Sequence, residues 1–314
     1  MKPSPERAAS VAKALSGFLW ELRRRAAQPR VRTAIYAGAI TALGVGLYFA
    51  VRNLPADLSL EHWRYIWLNL AVGAPLGIFL NVAETELSAR LLGASFGWRQ
   101  ALRISVLSSA ANVLPFPGGP LVRTAALNSL GLSLARSGGV VAAVAAQWFG
   151  MIFLYAGAWL WALAHGWIGG PFLVVGLAVF VGSVAWMRRL DCSFRQIAII
   201  GAVKMLASAL SVASIWWTFA ALGLFLSFGE ASVFTVVGVT GAAVSIVPAG
   251  LGVNEAMAAA IATVIAVPPA MAFIVATVNR IIRLAVVFPL AAFLALNSAR
   301  RPVSAGPGAV SKAR

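Results

Sequence analysis

Six ionisable side chains stand where an apolar sequence has little reason to keep them. Arg123 follows the run Pro115-Phe116-Pro117-Gly118-Gly119-Pro120, and Glu255 follows Pro248-Ala249-Gly250-Leu251-Gly252. Arg280 and Arg283 sit one turn apart in the apolar stretch 270–297, and Glu84 and Glu86 close the apolar stretch 62–83. A charge deep in hydrocarbon is costly, so such groups pair or line a wet cavity. Arginine offers a planar fork that matches carboxylate or phosphate. Glutamate in the first turn of a helix can cap unpaired backbone donors. Asn112 and Asn254 add neutral hydrogen bonds beside the two Pro/Gly runs. The chemistry implied is recognition of a polar or anionic group.

Each of these residues also has a plainer reading. Glu84 and Glu86 can be solvated at an interface, and Arg283 can snorkel. Glu255 can be a helix cap, and Arg123 and Arg280 can form structural ion pairs with Glu255 or Glu86. Arg123 and Glu255 can also meet as opposite charges in mid-membrane. No catalytic residue is assigned. Cys192 is the only cysteine, and His62 and His165 are far apart in sequence, so no metal site and no cofactor are expected.

The elements that must position these residues follow from composition. Of 314 residues, 61% are hydrophobic and 11% charged, against about 25% charged in soluble domains. Stretches without Asp, Glu, Lys or Arg run over 33–51, 65–83, 137–187, 205–229, 231–254 and 256–279. A spanning helix needs roughly 20 such residues. The expected fold is all-α and integral to the membrane, with about six transmembrane helices at 33–51, 62–83, 137–164, 171–187, 196–222 and 270–297.

Two further stretches break at proline and glycine. Residues 104–134 and 231–267 each read as two short limbs around a break, because proline removes a backbone donor and glycine accepts unusual dihedrals. They are expected to be re-entrant helical hairpins; the second can instead be two thin full spans. Pro115 and Pro248 lie 133 residues apart (248 − 115), as do Gly119 and Gly252 (252 − 119). The same offset superimposes the spans, so residues 33–164 and 165–297 form two repeats of span, span, hairpin, span.

Charge gives orientation. The net charge is +16, and the basic residues cluster at span ends as the positive-inside rule requires, not in a stripe suited to nucleic acid. The expected location is a bacterial inner (plasma) membrane, multi-pass, with both termini cytoplasmic and the repeats inverted. Residues 1–32 read as a basic amphipathic segment on the cytoplasmic leaflet and 298–314 as a disordered tail. Lys204 reads as snorkelling to the cytoplasmic side. Inverted repeats with broken helices are a recurring transporter plan.

The residues Asn112-Val113-Leu114-Pro115, Gly118-Gly119, Arg123, then Pro248-Ala249-Gly250-Leu251-Gly252-Val253-Asn254-Glu255, then Arg280, resemble the flippase-like membrane domain family of lysylphosphatidylglycerol synthases. The resemblance covers about 60–297. It departs at Pro120, where the family often carries glutamate, and Glu84 or Glu86 are the candidates to replace that carboxylate. No stretch could form the soluble aminoacyl-transferase domain. The resemblance implies a flippase or scramblase that moves a polar or anionic-headed lipid between the two hairpins. The alternatives are an integral-membrane lipid-modifying enzyme and a non-catalytic scaffold for a lipid-synthesis enzyme. Expected partners are membrane lipids; a lipid-synthesis enzyme and a second copy of the chain stay open.

Overall fold

The computed structural model describes residues 62–112, 118–163, 165–243 and 251–299, with isolated positions between 41 and 52. The segment 1–32, most of the expected span 33–51, both proline breaks (Pro115, Pro117, Pro248) and Gly250 lie outside the described residues. Among the described residues the secondary structure is entirely helical.

Among the described residues five helices are long and apolar enough to cross a membrane: α1 (Trp63–Leu91), α4 (Leu134–Ala162), α5 (Gly166–Arg189), α6 (Phe194–Ala221) and α10 (Pro269–Ala299). Between α1 and α4 stand two short helices, α2 (Trp98–Ala111) and α3 (Gly118–Asn128). Between α6 and α10 stand α7 (Phe228–Val233), α8 (Thr235–Ala243) and α9 (Val253–Val264). At 1.5 Å per residue, the 14 residues of α2 rise about 21 Å, less than the roughly 30 Å of hydrocarbon. The α5 face carrying Trp167, Val174, Leu177 and Val181 is exposed and wholly apolar, as a helix facing lipid should be.

The two halves share one order of elements. Helix starts recur at intervals between 130 (228 − 98) and 135 (269 − 134) residues, and α1 matches α6, α2 matches α7 with α8, α3 matches α9, and α4 matches α10. The packing repeats as well: α10 packs on α2, and α4 packs on α7 and α8. The equivalent helices α1 and α6 run antiparallel. Tyr65 meets Trp216, Asn69 meets Thr218, Glu84 meets Lys204, and the Arg90 carbonyl accepts from Gln196.

Local sequence explains three features. Pro75 has no N–H and its ring crowds the preceding turn, so α1 widens into a π-helical turn over Asn69–Gly73. Ser193 and Ser227 cap α6 and α7, with Gln196 and Glu230 closing the boxes. Helices α4 and α5 approach through glycines: a Cβ on Gly150 would stand 2.6 Å from the Phe180 nitrogen, and one on Gly176 2.7 Å from the Leu154 nitrogen. Without a hydrophobic drive between helices in lipid, such backbone proximity is what holds them.

Gly150→Ala is therefore expected to destabilise the protein by about 1–3 kcal/mol, read as a lowered unfolding midpoint in detergent. Gly182→Ala, where a Cβ meets nothing within 4 Å, is expected to leave the midpoint in place; equal effects would reject close packing as the cause. Cys192, between α5 and α6, is buried, and burial pushes its thiol up against the weaker opposite pull of Arg136. Less thiolate at neutral pH means slow maleimide labelling of the folded chain, with labelling faster by an order of magnitude or more once denaturant exposes the thiol.

Candidate functional site

Helices α2 and α3 form a tight antiparallel hairpin. The Gly119 nitrogen donates to Asn112 Oδ1 at 3.0 Å, and the Gly119 carbonyl accepts from Ser108 Oγ at 3.1 Å. A Cβ on Gly118 would lie 2.2 Å from the Ala111 carbonyl oxygen, and one on Gly119 2.2 Å from Asn112 Oδ1. Backbone blocks any side chain at position 118, and a side chain at position 119 would push the Asn112 amide aside. Asn112 and the two glycines therefore set how the second limb meets the first, and with it where Arg123 projects.

Arg123 reaches α1, not the second hairpin. Its NH1 donates to Glu84 Oε1, its Nε to Ser108 Oγ at 3.2 Å, and its NH2 approaches Asn81 Oδ1 at 3.5 Å. The other oxygen of Glu84 takes Lys204 Nζ from α6 at 2.7 Å. Lys204 is buried and also lies over the Trp148 ring of α4, 5.5 Å from its centroid. Three helices, α1, α3 and α6, thus meet on one carboxylate.

Glu255 is fully buried and does two things. Its Oε2 accepts from the Gly252 nitrogen at 2.9 Å, capping α9, and Arg280 of α10 pairs with Oε1 at 3.1 Å. Gly252 takes φ +78°, a left-handed conformation that suits glycine. Asn254, with its amide oriented to donate to the Val237 carbonyl at 3.0 Å, accepts from Arg280 at 3.2 Å. Arg283, one turn on, is exposed, and its Nε donates to the Asn279 carbonyl at 3.4 Å.

Four expectations are corrected by this geometry. Arg123 and Glu255 do not pair with each other: each takes a partner from a long helix of its own half, Glu255 because α9 packs on α10, and Arg123 because α2 packs on both α3 and α1 and its side chain reaches across to Glu84. Glu84 is not a solvated interface residue but a buried one holding two cations. Lys204 does not snorkel, since Glu84 lies within reach at the same depth. Glu86 is also buried; it pairs with Arg90 and accepts from the Phe96 nitrogen, fixing the α1–α2 turn.

The sequence placed Lys204 outside the site and gave no sign of Asn81, Ser108 or a polar cluster on three helices. In that cluster Asn69 Nδ2 donates to Asn279 Oδ1 at 2.9 Å and to Thr218 Oγ1 at 3.2 Å. A Cβ on Gly73 would lie 2.5 Å from Asn69 Oδ1, so the π-helical turn and its glycine make room for the amide. The nearest signals are Lys204 as the one charge inside 196–222 and Pro75 as a break in 62–83. His165 tethers the α4–α5 turn to the end of α9, with its ring nitrogens at the Leu163 and Val264 carbonyls. The described residues contain no group of histidine, cysteine and carboxylate side chains that could hold a metal.

No family model and no curated protein matches the chain.

Removing one partner of a buried pair strands the other. Glu84→Gln strands two cations and is expected to cost about 3–5 kcal/mol in equilibrium unfolding from mixed micelles. Lys204→Met leaves the neutral Arg123–Glu84 pair and should cost less. A larger loss from Lys204→Met would show that Glu84 does not hold the cluster together.

Proposed function

We propose that this chain is a lipid flippase or scramblase, moving a polar or anionic-headed lipid across a bacterial inner membrane without changing it covalently. The observation that carries the reading is the pair of buried ion clusters, one on the second limb of each short-helix pair, in two halves that repeat element by element. The antiparallel run of α1 against α6 supports inverted halves, and the shortness of α2 and α3 supports a re-entrant hairpin. The resemblance to the flippase-like membrane domain family points the same way.

The clusters are staggered in depth. Both termini are cytoplasmic in this reading, so α1 runs inward and α10 starts at the outer face. Glu84 then lies seven residues from the inner end of α1, about 10 Å deep, and Arg280 eleven residues from the outer end of α10, about 16 Å deep. A head group entering from either leaflet meets one cluster first and the other across the membrane middle. The starts of α3 and α9 add positive dipole ends near both. An entering phosphate or polar group competes with Glu84 for Arg123, or with Glu255 for Arg280. The carboxylates keep the cations paired when no lipid is present, which avoids a bare buried charge. Acyl chains stay in lipid throughout.

Arg123→Ala and Glu255→Ala are each expected to slow movement of a fluorescent phospholipid in proteoliposomes by about tenfold or more, the equivalent of one charge-assisted hydrogen bond. Gly182→Ala serves as the control with unchanged rate. Unchanged movement in both charge variants would overturn the reading.

A further inference from the structure

The charges inside the bundle do not balance. The first cluster sets one carboxylate, Glu84, against Arg123 and Lys204. The second sets Glu255 against Arg280, with Arg283 one turn further along α10. Arg283 is exposed, so among the described residues the surplus buried charge lies in the first cluster, two cations against one carboxylate. The other described carboxylates are engaged elsewhere: Glu86 with Arg90, Glu230 with the Ser227 nitrogen, and exposed Asp191 near Arg136. The stretches 113–117 and 240–250 contain no Asp or Glu. A surplus cation in a low-dielectric interior is costly without a counter-ion.

Unused donor capacity lies beside the surplus. The guanidinium of Arg123 presents five N–H groups and the ammonium of Lys204 three, more than Glu84, Ser108 and Asn81 can accept. The Arg123 side chain keeps 20% of its surface accessible while Glu84 keeps 6%, so the cation faces the approach and the carboxylate lies behind it. Ser105, one turn before Ser108 on α2, has a buried hydroxyl without a partner. An unpaired buried donor one turn from Ser108, beside a surplus cation, calls for an acceptor that carries negative charge.

We infer that the Arg123–Lys204–Glu84 cluster is a binding site for one monoanionic phosphate group of a lipid head, and that the chain selects lipids of net charge −1 over zwitterionic ones. A monoanion neutralises the surplus; a zwitterion brings an ammonium that restores it. This rests on the transport reading for movement, but binding stands apart from it.

The test compares phosphatidylglycerol, a monoanion, with phosphatidylethanolamine, a zwitterion. Lipid bound to the purified chain is read by native mass spectrometry, and movement of fluorescent forms is read in vesicles. Expected is a preference for phosphatidylglycerol of about tenfold or more in binding, the worth of one charge-assisted contact. Lys204→Gln should abolish that preference, and Lys204→Arg, which keeps the charge, should retain it and show that the fold tolerates change there. Inorganic phosphate should compete with the lipid. Equal binding of the two lipids, or a preference untouched by Lys204→Gln, overturns the inference. Phosphate that binds while neither lipid does would assign the site to a soluble anion and overturn it too. Movement of neither lipid, with the binding preference intact, sinks the transport reading and leaves this inference standing.

Discussion

A carboxylate inside a bilayer stays ionised only if other groups replace the water it has lost, and Glu84 does this with two cations at once. Arg123 arrives from the short hairpin and Lys204 from the equivalent helix of the other half. That single group ties both α3 and α6 to α1. Little else in the first half ties these helices together with comparable directionality, because apolar side chains facing lipid gain nothing from choosing a protein neighbour. Glu255 plays the matching part in the second half, capping α9 and holding α10 through Arg280.

The glycines and prolines act as the means to that end. Gly118 and Gly119 let α2 and α3 approach closely enough for Asn112 to hold the start of α3. Pro75 opens a wider turn in α1, and Gly73 leaves space for Asn69 to bridge α6 and α10. Gly150, Gly157, Gly169 and Gly176 bring α4 and α5 into backbone contact. Each removes a side chain so that a polar group or a backbone can come near, which is a costly choice in helix propensity that only tertiary contact can justify.

Much of this was readable from the chain. Five of the six expected spans coincide with long apolar helices, and the sixth falls mostly outside the described residues. Short helices lie on either side of 113–117 and 244–250, and Gly118, Gly119 and Pro120 of the first Pro/Gly run open α3 instead of interrupting it. The offset between Pro115 and Pro248, both outside the described residues, is close to the intervals of 130 to 135 residues between the starts of matched helices. Arg123, Glu255 and Arg280 stood out because nothing nearby in sequence could explain their charge. Lys204 was underrated for a definite reason: a lysine near a span end can always be read as reaching for water, and only a carboxylate at its own depth changes that.

The sequence alone determined which segments are helical and apolar, where the chain must break, and which charges need partners, since all three depend on residues within a turn or two of each other. Pairing depended on the tertiary structure. Arg123 could have met Glu255 or Glu86 as readily on paper as Glu84, and the choice was made by how α2 packs on both α1 and α3. Helix packing likewise buried Asn69, Thr218 and Asn279 together from positions up to 210 residues apart, a proximity with no periodicity or motif to announce it. It also created the surplus of cations over carboxylates, because charge balance in a membrane interior is a property of neighbours in space and not of neighbours in sequence.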